Sequence, residues 1–152
     1  MTYRLNQEYE RVVRSGSRCV ICMIDLDHFK KVNDRFGHLA GDDVLKRVTE
    51  ICRDQLRKYD GIFRFGGEEF VLCLPGTPLE KARVLMERLR QTIAETDMGI
   101  GEDPRFRITA SFGATEMTKE KGPDDAISEA DHALLTAKAN GRNQVVLWQA
   151  NE

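Results

Sequence analysis

One short stretch constrains this chain more than any other: Arg64-Phe65-Gly66-Gly67-Glu68-Glu69-Phe70. Apolar runs flank it, Ile62 to Phe65 before and Phe70 to Leu74 after, so it reads as the tip of a β-hairpin. Paired glycines fit such a turn because glycine takes a positive φ without steric cost. A purely structural hairpin has no need of adjacent carboxylates at its tip. Bare glycines let a phosphate approach the backbone, and carboxylates beside them can hold the metal that accompanies it. The same string would also suit an exposed turn, so its neighbours in the chain decide its meaning.

Composition sets wider bounds. A chain of 152 residues, 41% hydrophobic and 32% charged, reads as one soluble globular domain with a full core. A net charge of −2 gives no pull toward nucleic acid or an anionic membrane. No apolar run is long enough to span a bilayer and no signal-peptide core opens the chain. A cytoplasmic location is therefore expected, with neither nucleic-acid binding nor membrane insertion. Cys19-Val20-Ile21-Cys22 has the C-x-x-C spacing, but it falls within Arg18 to Ile24, a run that reads as a buried strand. Residues three apart on a strand face opposite ways, and no second Cys/His pair completes a zinc site. Buried free thiols are expected there, and likewise at Cys52 and Cys73.

In chain order, residues 2–15 suit a short amphipathic helix stopped at Ser15-Gly16-Ser17. The strand Cys19 to Ile24 delivers Asp25-Leu26-Asp27 at its far end, where a sheet would hold acidic residues rigidly. Phe29 to Asp43 is punctuated by Gly, Asn and Asp, which predicts a helical turn and loop before the next helix. Val44, Leu45, Val48, Ile51, Cys52 and Leu56 recur at helical spacing, and Arg57-Lys58-Tyr59-Asp60-Gly61 ends that helix. Beyond the hairpin, Leu79, Ala82, Leu85, Met86, Leu89 and Ile93 form the stripe of a second long helix. Met98 to Pro104 is a loop rich in glycine and acid. Phe106, Ile108, Ala110 and Phe112 alternate with polar residues as in a half-buried strand. Pro123 opens a helix whose core face runs from Ala126 to Ala137, Asn140-Gly141 stops it, and Gln144 to Trp148 is a last strand. No repeat or interdomain linker divides the chain, so residues 1–152 are expected to form a single α/β domain with helices packed on a largely antiparallel sheet.

Asp25-Leu26-Asp27-His28-Phe29-Lys30, Asn33-Asp34, Gly37-His38, Gly41-Asp42 and the Gly66-Gly67-Glu68-Glu69-Phe70 tip occur in this order. Ala130-Asp131, Ala137-Lys138 and Gly141-Arg142-Asn143 follow. With these motifs the chain closely resembles the GGDEF family of diguanylate cyclases, in its GGEEF variant, over nearly its whole length. The resemblance implies a two-layer fold like nucleotide cyclases and polymerase palms (ferredoxin-like), GTP as substrate, and cyclic di-GMP and pyrophosphate as products. Three departures stand out. The family's opening Asp-x-Leu-Thr-Gly-Leu segment is absent, so the chain is expected to be cut from a longer protein with a sensory or dimerising domain. Leu135 stands where tyrosine is usual, and Glu68 takes the place of aspartate. None of these removes a metal or phosphate group.

By the same resemblance, Asp25 and Glu68 are metal-binding carboxylates, assisted by the Leu26 carbonyl and more weakly by Glu69. Glu68 is also the acceptor of the 3′-hydroxyl proton. The implied metal is Mg2+ or Mn2+, two ions per half-site, a pair able to lower the hydroxyl pKa and steady the leaving oxygen. Lys30, Lys138 and Arg142 are left to meet the β- and γ-phosphates, although the last two also suit a helix C-terminus. Amides from His28 to Lys30 are further phosphate donors, with Phe29, Gly66 and Gly67 lining the substrate site. Asn33 and Asp42 are the implied guanine readers and His38 a further nucleotide contact. Helix capping is the other use for that pair, with Asp42 as cap and Asp43 as first-turn acid. One domain holds one GTP whereas the product joins two, so a two-fold homodimer is expected.

Arg57-Lys58-Tyr59-Asp60 carries the only Arg-x-x-Asp in the chain. It lies where the family binds cyclic di-GMP as an inhibitor, with Arg88 as partner arginine, and a solvated helix end is the structural alternative. The rival function is an inactive module sensing GTP or cyclic di-GMP. A cyclase closing a mononucleotide ring is disfavoured by the base-reading pair and the product site.

Overall fold

The computed structural model describes residues 1–99 and 106–150. All eight residues of the first strand, β1 (Cys19–Leu26), are buried, so it needs cover on both faces. Its odd positions Cys19, Ile21 and Met23 pack with Leu5 and Val12 of α1 (Thr2–Ser15) and with Ala130 and Leu134 of α5 (Pro123–Ala139). Its even positions Val20, Cys22, Ile24 and Leu26 pack with Val44 and Val48 of α3 (His38–Gln55) and Met86 and Leu89 of α4 (Leu79–Glu95). The remaining elements are α2 (Phe29–Phe36), β2 (Gly61–Arg64), β3 (Glu69–Pro75), β4 (Ala110–Met117) and β5 (Val145–Leu147).

The strands form one sheet in the order β2-β3-β1-β4-β5. β1 runs antiparallel to both β3 and β4, β2 is antiparallel to β3, and only β5 joins parallel to its neighbour β4. This is the α/β palm-like fold with a largely antiparallel sheet that the motifs imply. The layering differs. With helices on both faces there are three layers rather than the expected two. The reason lies in α5, whose alanine-rich face is a weak apolar signal but lets the helix sit very close. A Cβ on Gly113 of β4 would lie 2.2 Å from the Leu134 amide nitrogen and 2.3 Å from the Ala130 carbonyl oxygen.

Three local expectations also change. Helical structure begins earlier than the glycine-rich pattern suggests: α2 and α3 meet at Gly37, whose φ is 91°. Because α3 starts at His38, Asp42 and Asp43 lie a turn inside it and cap nothing. The strand expected from Phe106 starts only at Ala110 and is buried almost throughout, not half-buried. Thr109 and Ser111, the polar positions of that alternation, are occupied by Asp27 instead of solvent. Of the loop from Met98 to Pro104, residues 100–104 lie outside the described residues.

All four cysteines are free and buried. Cys19 and Cys22 fall on opposite sheet faces, and Cys19 Sγ lies 3.6 Å from Cys73 Sγ across the strands. The Cys73 thiol and burial push Cys19 well above the usual thiol range, and burial pushes Cys52 up to about 12. These are inert core thiols. Among the described residues no helix is long and apolar enough to cross a membrane.

Candidate active site

The central strand and the hairpin end together. Asp25 is in register with Glu69 on one side and with Ser111 on the other. The Leu26 amide donates to the Glu68 carbonyl at 3.2 Å, which stitches the end of β1 to the tip. Within the tip, the Phe65 and Gly66 amides donate to the Glu69 carbonyl at 2.8 and 3.4 Å. Arg64 reaches across it, donating from Nη2 and Nε to the Gly67 carbonyl at 2.8 and 3.2 Å and from Nε to Gly66 at 3.3 Å. Neither tip glycine takes a positive φ, so the turn does not need them for backbone freedom. Their use is bareness: a Cβ on Gly66 would press on Glu69 Oε2 at 3.3 Å, and Gly67 faces open space.

Strand alternation sends Asp25 and Glu69 toward α5. Asp25 is buried and its carboxylate is paired with Lys138 Nζ. Burial pushes the Asp25 carboxyl up, Lys138 pulls it down, and Glu68 and Asp27 push it up again. Glu69 is raised by burial first and then by Asp25, with Lys138 opposing and Asp131 and Glu68 adding. Carboxylates that raise one another are relieved by a divalent cation. No three metal-ligating side chains converge among the described residues. The carboxylates near this strand end, Asp25 and Glu69 in register and Glu68 beside them at the tip, therefore form no closed protein cage. That suits Mg2+, which keeps water and phosphate oxygens in its shell and does not need a full protein cage.

On the opposite side of the same strand ends lies a pocket of about 410 Å³. Phe29, Lys30 and Asn33 of α2 form one wall, His38, Asp42 and Leu45 of α3 another, and Arg64, Gly67 and Glu68 of the hairpin the third. Asn33 is held where α2 meets α3: a Cβ on Gly41 would fall 1.9 Å from Asn33 Oδ1, so only glycine leaves room for it. α2 starts at this pocket behind His28, whose φ is 56°, with no side-chain cap on its first-turn amides. The implied substrate set is therefore gathered from three elements, while Lys138 stays with Asp25 on the α5 side. Arg142 does not line the pocket; it lies in the loop after α5 with φ 64°.

Two residues that the sequence reading passes over are central to this geometry. Arg64 braces the tip as described. Asp27, 4% exposed, accepts from Thr109 Oγ1 at 2.6 Å, Ser111 Oγ at 2.7 Å and the Asn143 amide at 3.0 Å. Hydrogen bonds to a buried charge contribute roughly 1.5–3 kcal/mol each. The one sequence signal for Asp27 is its place just past the strand end, two residues after Asp25.

Arg57 and Asp60 meet at the other end of β2. The Asp60 carboxylate accepts from the Arg57 amide at 2.8 Å and from its guanidinium at 3.1 and 3.3 Å. Arg57 also donates to the Pro75 carbonyl at 2.9 Å and to Thr77 Oγ1 at 2.6 Å. The pair thus closes the loop between α3 and β2, and the Asp60 side chain, 1% exposed, is no solvated helix end. Arg88 donates to Gln55 Oε1 at 2.9 Å, at the end of α3 that leads into Arg57.

An acidic strand end, a bare hairpin tip and a pocket between them and α2 and α3 define a domain of the α/β palm-like class. Residues 1–144 match the family described as diguanylate cyclase, GGDEF domain, and the chain belongs to that family. It is 44% identical over 145 residues to the diguanylate cyclase DgcP of Pseudomonas aeruginosa, covering 95% of this chain and 22% of that protein. Among solved structures, the diguanylate cyclase SiaD of Pseudomonas aeruginosa, in complex with its activator SiaC, superposes with a TM-score of 0.91 at 40% identity. That match covers 95% of this chain and 55% of SiaD. The active GGEEF domain of a diguanylate cyclase from Vibrio cholerae gives 0.88 at 31% identity, covering 95% and 92%. The chain spans between 22% and 34% of the length of the curated relatives it matches.

Proposed function

We propose that this domain is a diguanylate cyclase that condenses two GTP molecules into cyclic di-GMP and releases two pyrophosphates. The observation that carries the proposal is the pocket gathering Lys30, Asn33, Asp42 and Glu68 at the hairpin tip, with Asp25, Glu69 and Lys138 beside it. Asn33 and Asp42 supply the acceptors and the donor that guanine's edge needs, and adenine presents the reverse pattern at the same atoms. His38 and Phe29 enclose the nucleotide. Lys30, Lys138, Arg142 and the first amides of α2 neutralise the β- and γ-phosphates.

In each condensation the 3′-hydroxyl oxygen of one GTP bonds to the α-phosphorus of the other. The bond from that phosphorus to the bridging oxygen breaks, and pyrophosphate leaves with the electron pair. Glu68 accepts the hydroxyl proton. Asp25, Glu68 and Glu69, with the Leu26 carbonyl, are the residues that would hold Mg2+ or Mn2+. Bound there with the substrate, such ions supply charge neutralisation at the α-phosphate and the leaving group. Arg64 keeps the tip carbonyls turned inward on its guanidinium, which leaves the bare face of the turn to the phosphates.

Since one pocket takes one GTP, two domains must face each other about a two-fold axis, and a dimerising or sensory segment joined to the domain would set their encounter. The reading places the domain in the cytoplasm. Arg57 and Arg88 are the product contacts in this reading, with the buried Asp60 holding Arg57 in place: the exposed Arg57 guanidinium can fork a phosphate of cyclic di-GMP or stack on its guanine.

Pyrophosphate release from GTP with Mg2+ tests the reading, with Glu68→Gln run alongside. The parent protein should turn over GTP but not ATP, and Glu68→Gln should be slower by about 100-fold or more. A protein that binds GTP yet releases no pyrophosphate, even when fused to a dimerising coiled coil, would favour a sensor of GTP or cyclic di-GMP.

A further inference from the structure

Asp27 takes no part in the proposed chemistry, yet three parts of the chain are tied to it. Its Oδ1 accepts from Ser111 Oγ at 2.7 Å, and its Oδ2 accepts from Thr109 Oγ1 at 2.6 Å and the Asn143 amide at 3.0 Å. The first two bonds join β1 to β4 and its approach. The third leaves the sheet for the loop between α5 and β5.

That loop is unusual in its backbone. Gly141, Arg142 and Asn143 have φ of 113°, 64° and 47° in succession. Two adjacent residues with side chains in the left-handed region persist only where their surroundings hold them. The Arg142 amide donates to the Ala137 carbonyl at 2.9 Å, and Gln144 Nε2 donates to the Arg142 carbonyl at 3.0 Å, both within the loop's own neighbourhood. Arg90 Nη1 of α4 donates to Asn143 Oδ1 at 2.9 Å. Asp27 supplies the link from this loop to β1, two residues beyond Asp25.

We infer that Asp27 is a positioning residue: its bond to the Asn143 amide fixes the left-handed loop so that Arg142 meets the terminal phosphates of a nucleoside triphosphate bound at the tip. The inference rests on the cyclase reading, because it takes the tip as a triphosphate site. It also separates two duties of one carboxylate. The hydroxyl bonds hold the sheet, and the amide bond holds the loop.

Equilibrium binding of 3′-deoxy-GTP and 3′-deoxy-GMP, with Mg2+ present, tests it, since neither has a hydroxyl to react. Asp27→Ala should weaken 3′-deoxy-GTP about tenfold and 3′-deoxy-GMP less than about twofold, because only the former carries the phosphates Arg142 meets. Asp27→Asn should restore most of the loss, since its amide can turn to Ser111 and leave its oxygen for Thr109 and Asn143. In an Arg142→Ala background, Asp27→Ala should cost nothing further. Ser111→Ala, which removes only a sheet bond, should lower Tm and leave the triphosphate preference intact. Should Asp27→Ala fail to fold, Asn143→Ala loosens the same loop by losing the Arg90 bond and should show the same triphosphate-selective loss. Equal weakening of both ligands, or a full tenfold loss in the Arg142→Ala background, overturns the inference. A parent protein that binds neither ligand overturns the cyclase reading and the inference with it.

Discussion

Arg57 shows how one side chain can serve the fold and still be open to a ligand. It holds the buried Asp60 carboxylate and donates to Pro75 and Thr77, but 57% of its side chain remains exposed. If that exposed guanidinium binds product, Arg57→Ala should raise the cyclic di-GMP concentration giving half-inhibition by at least about tenfold. Initial rates should change by less than about twofold, because Arg57 lies at the opposite end of β2 from the tip. Progress curves with added cyclic di-GMP read both quantities, and inhibition identical to the parent's would contradict the assignment. At this scale the sequence was most legible where a residue belongs to a motif. Asp25, Glu68, Asn33 and Asp42 stand out because they fall in the family's motifs, and the fold brings Asn33, Asp42 and Glu68 to one pocket. Asp27 and Arg64 did not: Asp27 bonds groups that only the fold brings near, and Arg64 bonds carbonyls two and three residues on that only the folded turn aims at its guanidinium. The partners of Asp27 lie 82, 84 and 116 residues away in sequence.

Elements were legible in proportion to the strength of their periodicity. The stripes of α3 and α4 announced themselves, as did the apolar run that opens β1. The edges of elements depended on partners and were harder. β4 begins at Ala110 and not Phe106, although the Asp27 amide still donates to the Thr109 carbonyl at 2.8 Å, one position further along the same register. The tip glycines have negative φ, a value composition cannot reveal. The third layer was hidden in the alanines of α5, whose closeness to β4 depends on Gly113 across the interface. Gly113→Ala should therefore destabilise the fold by about 1–3 kcal/mol, the usual cost of forcing a methyl group into a packed core. It should also lower activity by shifting the helix that carries Lys138. Urea denaturation measures the first effect, and an unchanged midpoint would show that α5 is not seated as described.

For the whole molecule, the palm-like sheet places two groups of residues on either side of the same strand ends. The carboxylates proposed for a cation lie toward α5, and the pocket proposed for a nucleotide lies toward α2 and α3. The hairpin tip lies between them and belongs to both. Nothing in one such domain supplies a second nucleotide, so chemistry that joins two GTP molecules requires two domains face to face. The most direct measurement is the identity of the nucleotide formed from GTP and Mg2+, by chromatography and mass spectrometry, across a range of protein concentrations. Cyclic di-GMP should be the sole cyclic product, with specific activity rising with concentration until the dimer saturates. Cyclic GMP as the product, or specific activity that stays flat on tenfold dilution below the dimer's range, would contradict the account.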